Sequence, residues 1–159
     1  MSFKNQLFSR AKRFNFCFIL LASILLLGCS TKKGHLEEKI HWENDVPAAF
    51  LRARMERKPL LIDFMATWCP PCQEMEASTF SSSDIISRAS EFVAVRVDVD
   101  QQGDLARSFK ASARKYGGIG IPNILFLSPD SEKIRHVLGY QSADALSSLM
   151  DSVLTVVNN

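Results

Sequence analysis

Two cysteines separated by two prolines, Cys69-Pro70-Pro71-Cys72, are the residues of this 159-residue chain whose type and spacing most directly imply chemistry. The thiolate is the reactive form of cysteine, and a helix N-terminus stabilises it through unpaired amide hydrogens and the helix dipole. Proline is tolerated in a first helical turn, where the amide hydrogens lack partners anyway. Pro70 and Pro71 therefore set Cys69 at a helix start, with Cys72 one turn inside. Cys69 can then attack a disulfide, and Cys72 can resolve the mixed disulfide that results. The competing use of such a pair, as half of a zinc site, needs two further ligands, and His35, His41 and His136 are scattered along the chain. No metal is expected, and no cofactor beyond a redox-active Cys69–Cys72 disulfide.

Six residues before Cys69, Asp63 interrupts the apolar run Leu60–Met65. Burial there would disfavour its charged form and raise its pKa, whereas an edge strand would leave it facing water. Arg96 could partner it or be solvated. Trp68 could form a partly exposed lip beside the thiols or cap the core. Glu74 and Glu76 are expected to be solvated. Met65, Met75, Phe64 and Phe80 read as core, and Trp42 as a packing anchor for the first helix of the domain.

The elements that must position these groups follow from hydrophobic period. Val46–Arg57 has helical spacing, with Asp45 and Pro47 at its start. Leu60–Met65 is a continuous apolar run of strand length, as in a strand buried on both faces. Cys72–Ser78 and Ser83–Ser90 read as helices, and Glu91–Val99 as an alternating strand. Helical spacing returns over Asp104–Tyr116. Gly117, Gly118 and Gly120 break it before a strand at Ile124–Leu127, a turn at Ser128–Ser131 and a partner strand at Lys133–Leu138. Ala143–Val156 closes the chain as an amphipathic helix. Strands alternating with helices and then a hairpin predict an α/β fold, a central mixed sheet with helices on both faces.

Residues 1–28 belong to a different organisation. Lys4, Arg10, Lys12 and Arg13 precede the uncharged run Phe14–Leu27, the layout of a signal peptide and short of a membrane span. The run ends in Leu26-Leu27-Gly28-Cys29, which resembles the lipobox of bacterial lipoproteins and implies lipidation of Cys29. The expected organisation is a leader over 1–28, a lipidated tether over 29–41 and one domain over 42–159. The expected location is the bacterial cell envelope, lipid-anchored, with the domain in the periplasm. Cleavage would remove Cys17 and, with Cys29 lipidated, leave the domain only the Cys69, Cys72 pair, which is not the pattern of a disulfide scaffold. It would also remove four of the 19 basic side chains and none of the 17 acidic ones, so the domain carries no electrostatic footprint for nucleic acid.

Leu61-Ile62-Asp63-Phe64-Met65-Ala66-Thr67-Trp68-Cys69-Pro70-Pro71-Cys72 resembles the active-site strand and helix of the thioredoxin superfamily, and Gly120-Ile121-Pro122 resembles its cis-proline loop. From Trp42 to Leu149 the chain is most similar to the C-terminal thioredoxin-like domain of DsbD-type interchange proteins. The resemblance implies a thioredoxin-like fold and thiol:disulfide oxidoreductase activity. It implies that Asp63 relays a proton to and from Cys72, and that Trp68, Ile121 and cis Pro122 lie against an incoming extended peptide. Those proteins carry this domain behind a membrane electron-transfer domain, for which these residues hold no counterpart. A separate membrane donor of DsbD/CcdA type is therefore expected, with disulfide-containing exported proteins as partners. The Pro70-Pro71 pair is closer to the cytochrome-maturation branch, which keeps a thiol reductase for cytochrome c maturation as an alternative. A net oxidant, or a non-enzymatic binding or chaperone module, ranks below both.

Overall fold

The computed structural model describes residues 39–111 and 120–159. The expected leader over 1–28, Cys29, residues 30–38 of the expected tether over 29–41, and the expected helix end at Tyr116 with Gly117 and Gly118 lie outside the described residues. The order of elements is α1 (Val46–Glu56), β1 (Leu60–Met65), α2 (Pro70–Glu74) running into a π-helical turn (Met75–Thr79), α3 (Ser83–Ala89), β2 (Val93–Asp98), α4 (Gly103–Ala111), β3 (Asn123–Leu127), β4 (Lys133–Leu138) and α5 (Ala143–Asn158). The strands form one mixed sheet ordered β2-β1-β3-β4. β1 runs parallel to β2 and antiparallel to β3, and β3 and β4 form an antiparallel hairpin.

The central place of β1 explains its apolar composition on both sides of Asp63, because both of its faces are covered. Side chains alternate across a strand. Leu61 therefore joins Ile124, Phe126, Met75, Phe80, Ile85, Leu146 and Met150 in the layer holding the π-turn, α3 and α5. Leu60, Ile62 and Phe64 meet Val46, Ala49 and Ala53 of α1 and Ala106 of α4 on the other side. The result is the expected three-layer arrangement, and its helix starts are conventional. Asp45 caps α1 by accepting from the Ala48 amide at 3.0 Å, and Ser142 caps α5 by accepting from Ala145 at 3.3 Å.

Three sequence expectations change. Glu91 and Phe92 are not strand: their amides close a turn onto the carbonyls of Arg88 and Ala89 at 3.0 and 3.1 Å, so β2 starts at Val93. The helix after Cys69 is not a uniform α-helix. Phe80 donates to the Met75 carbonyl at 2.8 Å, an i to i−5 bond, and the hydroxyls of Ser78 and Ser81 bond the carbonyls of Glu74 and Ala77. Serine hydroxyls that compete for backbone carbonyls favour such a local widening. Nor does Trp42 anchor α1. Glu43 makes a parallel bridge to Val95, with Glu43 N to Ala94 O at 2.9 Å and Arg96 N to Glu43 O at 2.8 Å. Residues 40–43 thus run as a strap along the edge of β2, and Ile40 and Trp42 enter the layer opposite α1. Trp42 packs edge-to-face on Phe80 with ring centroids 5.1 Å apart. Proximity in sequence misleads here, because the chain crosses from one face of the sheet to the other between Trp42 and Val46.

Candidate functional site

The site lies where β1 ends and α2 begins. Cys69 and Cys72 form a disulfide, and both are buried. Cys69 is the N-cap of α2, with extended backbone, and its sulfur accepts the Cys72 amide at 3.3 Å. Exposure does not distinguish the two sulfurs, but capping does, because only Cys69 faces the unpaired amides of the first turn. Around the disulfide pack Ala66, Met65, Val99 and Ile121. The Ile121–Pro122 peptide is cis. The Pro122 carbonyl accepts the Gly139 amide at 2.8 Å, and Gly139 sits at φ +80°, a backbone conformation that side-chain-bearing residues rarely adopt. Trp68, 63% exposed, stands beside the pair with its indole N–H donated to Asp100 of the loop after β2. This is a lip and not a core cap.

Asp63 is 2% exposed. Pairing in register with Arg96 on β2, it accepts from Arg96 Nε at 3.1 Å through Oδ2, while Oδ1 is buried without a hydrogen-bond partner. Two residues beyond Leu61, it faces the layer that contains the helix of Cys72. Burial, only partly opposed by the Arg96 charge and hydrogen bond and reinforced by the nearby Glu76 carboxylate, pushes its pKa up to about 6. The edge-strand alternative is thereby excluded. Arg96 is not solvated: a terminal nitrogen also reaches Glu76 Oε2 at 2.7 Å. Glu76 lies on the π-turn, four residues after Cys72. Its side chain is exposed, as expected, yet it joins the Asp63–Arg96 pair, which the sequence reading of Glu76 did not foresee. The i, i+4 relation of Cys72 and Glu76 was visible in the sequence. The strand register that sets Arg96 opposite Asp63 was not.

Because Arg96 holds Asp63 below where burial alone would set it, Arg96→Met is expected to move the Asp63 titration midpoint above 6, by one unit or more. NMR titration of the Asp63 carboxyl carbon measures this directly. A midpoint that stays put or falls would show that the guanidinium is not its controlling charge.

A cis-proline loop packed against a helix-capping Cys-x-x-Cys disulfide, on a four-stranded mixed sheet, places the chain beside known proteins. The Thioredoxin-like family model matches residues 41–129. The chain belongs to the thioredoxin-like family. It is 30% identical over 89 residues to the thiol:disulfide interchange protein DsbD of Campylobacter jejuni (strain RM1221), a match covering 56% of this chain and 15% of that protein. It is 30% identical over 101 residues to a thioredoxin of Mycobacterium bovis, covering 64% of this chain and 78% of the thioredoxin. Among solved structures, the DsbH oxidoreductase superposes with a TM-score of 0.65 at 19% identity, over 80% of this chain and 93% of that one. The reduced C-terminal domain of Neisseria meningitidis DsbD superposes at 0.55 with 26% identity, over 67% and 91%. The fold is thioredoxin-like, with a Cys-x-x-Cys disulfide at the start of a helix. The chain spans only about 15% of the length of the DsbD relatives.

Proposed function

We propose that this protein is an exported, lipid-anchored protein-disulfide reductase of the bacterial envelope, held at the membrane through Cys29 with its domain in the periplasm. The observation that carries the direction of electron flow is the modest support given to the Cys69 sulfur. It accepts one amide at 3.3 Å, and among the described residues no Lys, Arg or His bonds to it. A strong oxidant needs a heavily stabilised thiolate; a pair without that stabilisation gives up electrons more readily.

The reaction begins from the dithiol. The Cys69 thiolate attacks one sulfur of the partner's disulfide, that bond breaks, and the partner's other sulfur leaves as a thiolate. Cys72 then gives its proton to Asp63, and its sulfur attacks Cys69. The mixed disulfide breaks, the partner's second thiolate departs, and Cys69–Cys72 is left as the disulfide, two electrons having passed to the partner. A membrane dithiol donor of DsbD/CcdA type restores the pair. Trp68, Ile121 and Pro122 border the disulfide and would contact the partner's segment. Oxidised exported proteins are the substrate class; the Pro70-Pro71 pair keeps the disulfide form of apocytochrome c within it.

Cells carrying Cys72→Ser should accumulate mixed disulfides of Cys69 with exported proteins, and the full chain should take up labelled fatty acid unless Cys29 is changed to Ser. Absence of trapped partners would remove the reductase reading, and absence of label would remove the anchor.

A further inference from the structure

Arg96 is gripped from two sides. Its guanidinium serves Asp63 at 3.1 Å and Glu76 at 2.7 Å, and it lies 4.3 Å from the centroid of the Trp42 ring and 5.4 Å from that of Phe80. A long side chain loses much rotamer freedom when fixed, and one cation shared by carboxylates on two elements must be held within a narrow range of positions. An aromatic face attracts a cation without using the N–H groups that the carboxylates need. Of the two rings, Phe80 follows the π-turn in the helical layer. Trp42 comes from the strap along β2 and meets the cluster through Arg96 and Phe80.

We propose that Trp42 is a positioning residue for the redox site: its indole keeps Arg96 where one guanidinium can serve both the buried carboxylate of Asp63 and Glu76 on the turn after Cys72. The inference rests on the proton-relay reading of Asp63. The charged groups about this cluster are Arg96 from β2 and Glu76 from the π-turn. Lys39 and His41 of the strap line, with Trp42, Glu76 and Phe80, a groove of about 560 Å³. Without the indole face, the guanidinium swings toward that groove and the exposed Glu76. Asp63 then loses its cation, and burial holds its proton more tightly.

The test is the pH dependence of disulfide reduction by the full chain from pH 4.5 to 8.5. Asp63→Asn identifies the acid limb that belongs to the relay. Trp42→Leu should move that limb up by about half a pH unit, a roughly threefold loss of rate at pH 5 with little change at pH 8. Trp42→Phe, which keeps an aromatic face, should leave the limb close to its wild-type position. Glu76→Gln should move the limb the opposite way, because it removes a neighbouring anion and leaves Arg96 to Asp63 alone. Should Trp42→Leu lose activity equally at every pH, or shift nothing, while Asp63→Asn still removes the limb, the inference is wrong and the relay stands. A limb that persists in Asp63→Asn sinks the relay itself, and this inference with it. Should Trp42→Leu not fold, Trp42→Met, which fills similar space without an aromatic face, carries the same expected shift, and a limb that stays put in it overturns the inference.

Discussion

Replacing Cys72 by Ala is expected to leave Cys69 open to alkylation in the reduced protein while lowering disulfide-reductase turnover by at least about a thousandfold. The two effects part because the proposed mechanism gives the two sulfurs different tasks. Cys69, as N-cap, keeps the amides of α2 and therefore its nucleophilic character. What disappears is the second thiol, held one turn away in the same helix. Resolution by a tethered, oriented group outpaces resolution by an external thiol at millimolar concentration by several orders of magnitude. Cys69→Ser should abolish both alkylation and turnover, since Cys72 does not occupy the cap. The measurements are mass-spectrometric alkylation of the reduced variants and turnover with a protein disulfide substrate. Retained turnover in Cys72→Ala would mean that the pair does not act as attacker and resolver.

The second large effect is on stability. Asp63 is expected to destabilise the fold at neutral pH, and Asp63→Asn should raise stability there by on the order of 3 kcal/mol, roughly 10 °C in melting temperature. The sign follows from linkage. The folded-state pKa is raised, from 3.8 to about 6, so the folded state binds the proton more tightly than the unfolded chain. Stability from this group is fully present below pH 3.8 and is lost as pH rises through 6. Asparagine mimics the protonated acid in shape and cannot ionise, and Arg96 keeps Glu76 as a counter-charge. Wild type and variant should therefore converge toward pH 4 and separate above pH 6. If Asp63 relays the proton of Cys72 as proposed, the same substitution should slow turnover, a trade of stability for function common at active sites. Denaturant unfolding at pH 4 and pH 8 decides the point: a variant no more stable than wild type at pH 8 would show that Asp63 carries no strain of burial.

Much of the fold was legible because its signals are local. An apolar run from Leu60 to Met65, interrupted only by Asp63, fits best between two covered faces, and β1 is central. Asp45 and Pro47 marked the start of α1, and the turn at Ser128–Ser131 marked the hairpin. The weaker boundaries had weaker signals: nothing in the period of Phe92 separates a strand residue from one that closes a turn, and backbone hydrogen bonding decides it. The π-turn was illegible because one extra residue in a helical turn leaves the apolar pattern nearly intact.

Cys69, Cys72 and the prolines between them place a pair of thiols at a helix start, since both cysteines and the rule confining proline to a first turn lie within four consecutive residues. The company of Asp63 was settled only by tertiary structure. Its opposition to Arg96 depends on the register of two parallel strands 33 residues apart, the reach of Glu76 on the shape of the π-turn, and the stacking of Trp42 on which face of the sheet the strap crosses. Each is fixed by how whole layers pack against one another, an energy shared among many side chains and therefore written in no single stretch of the chain.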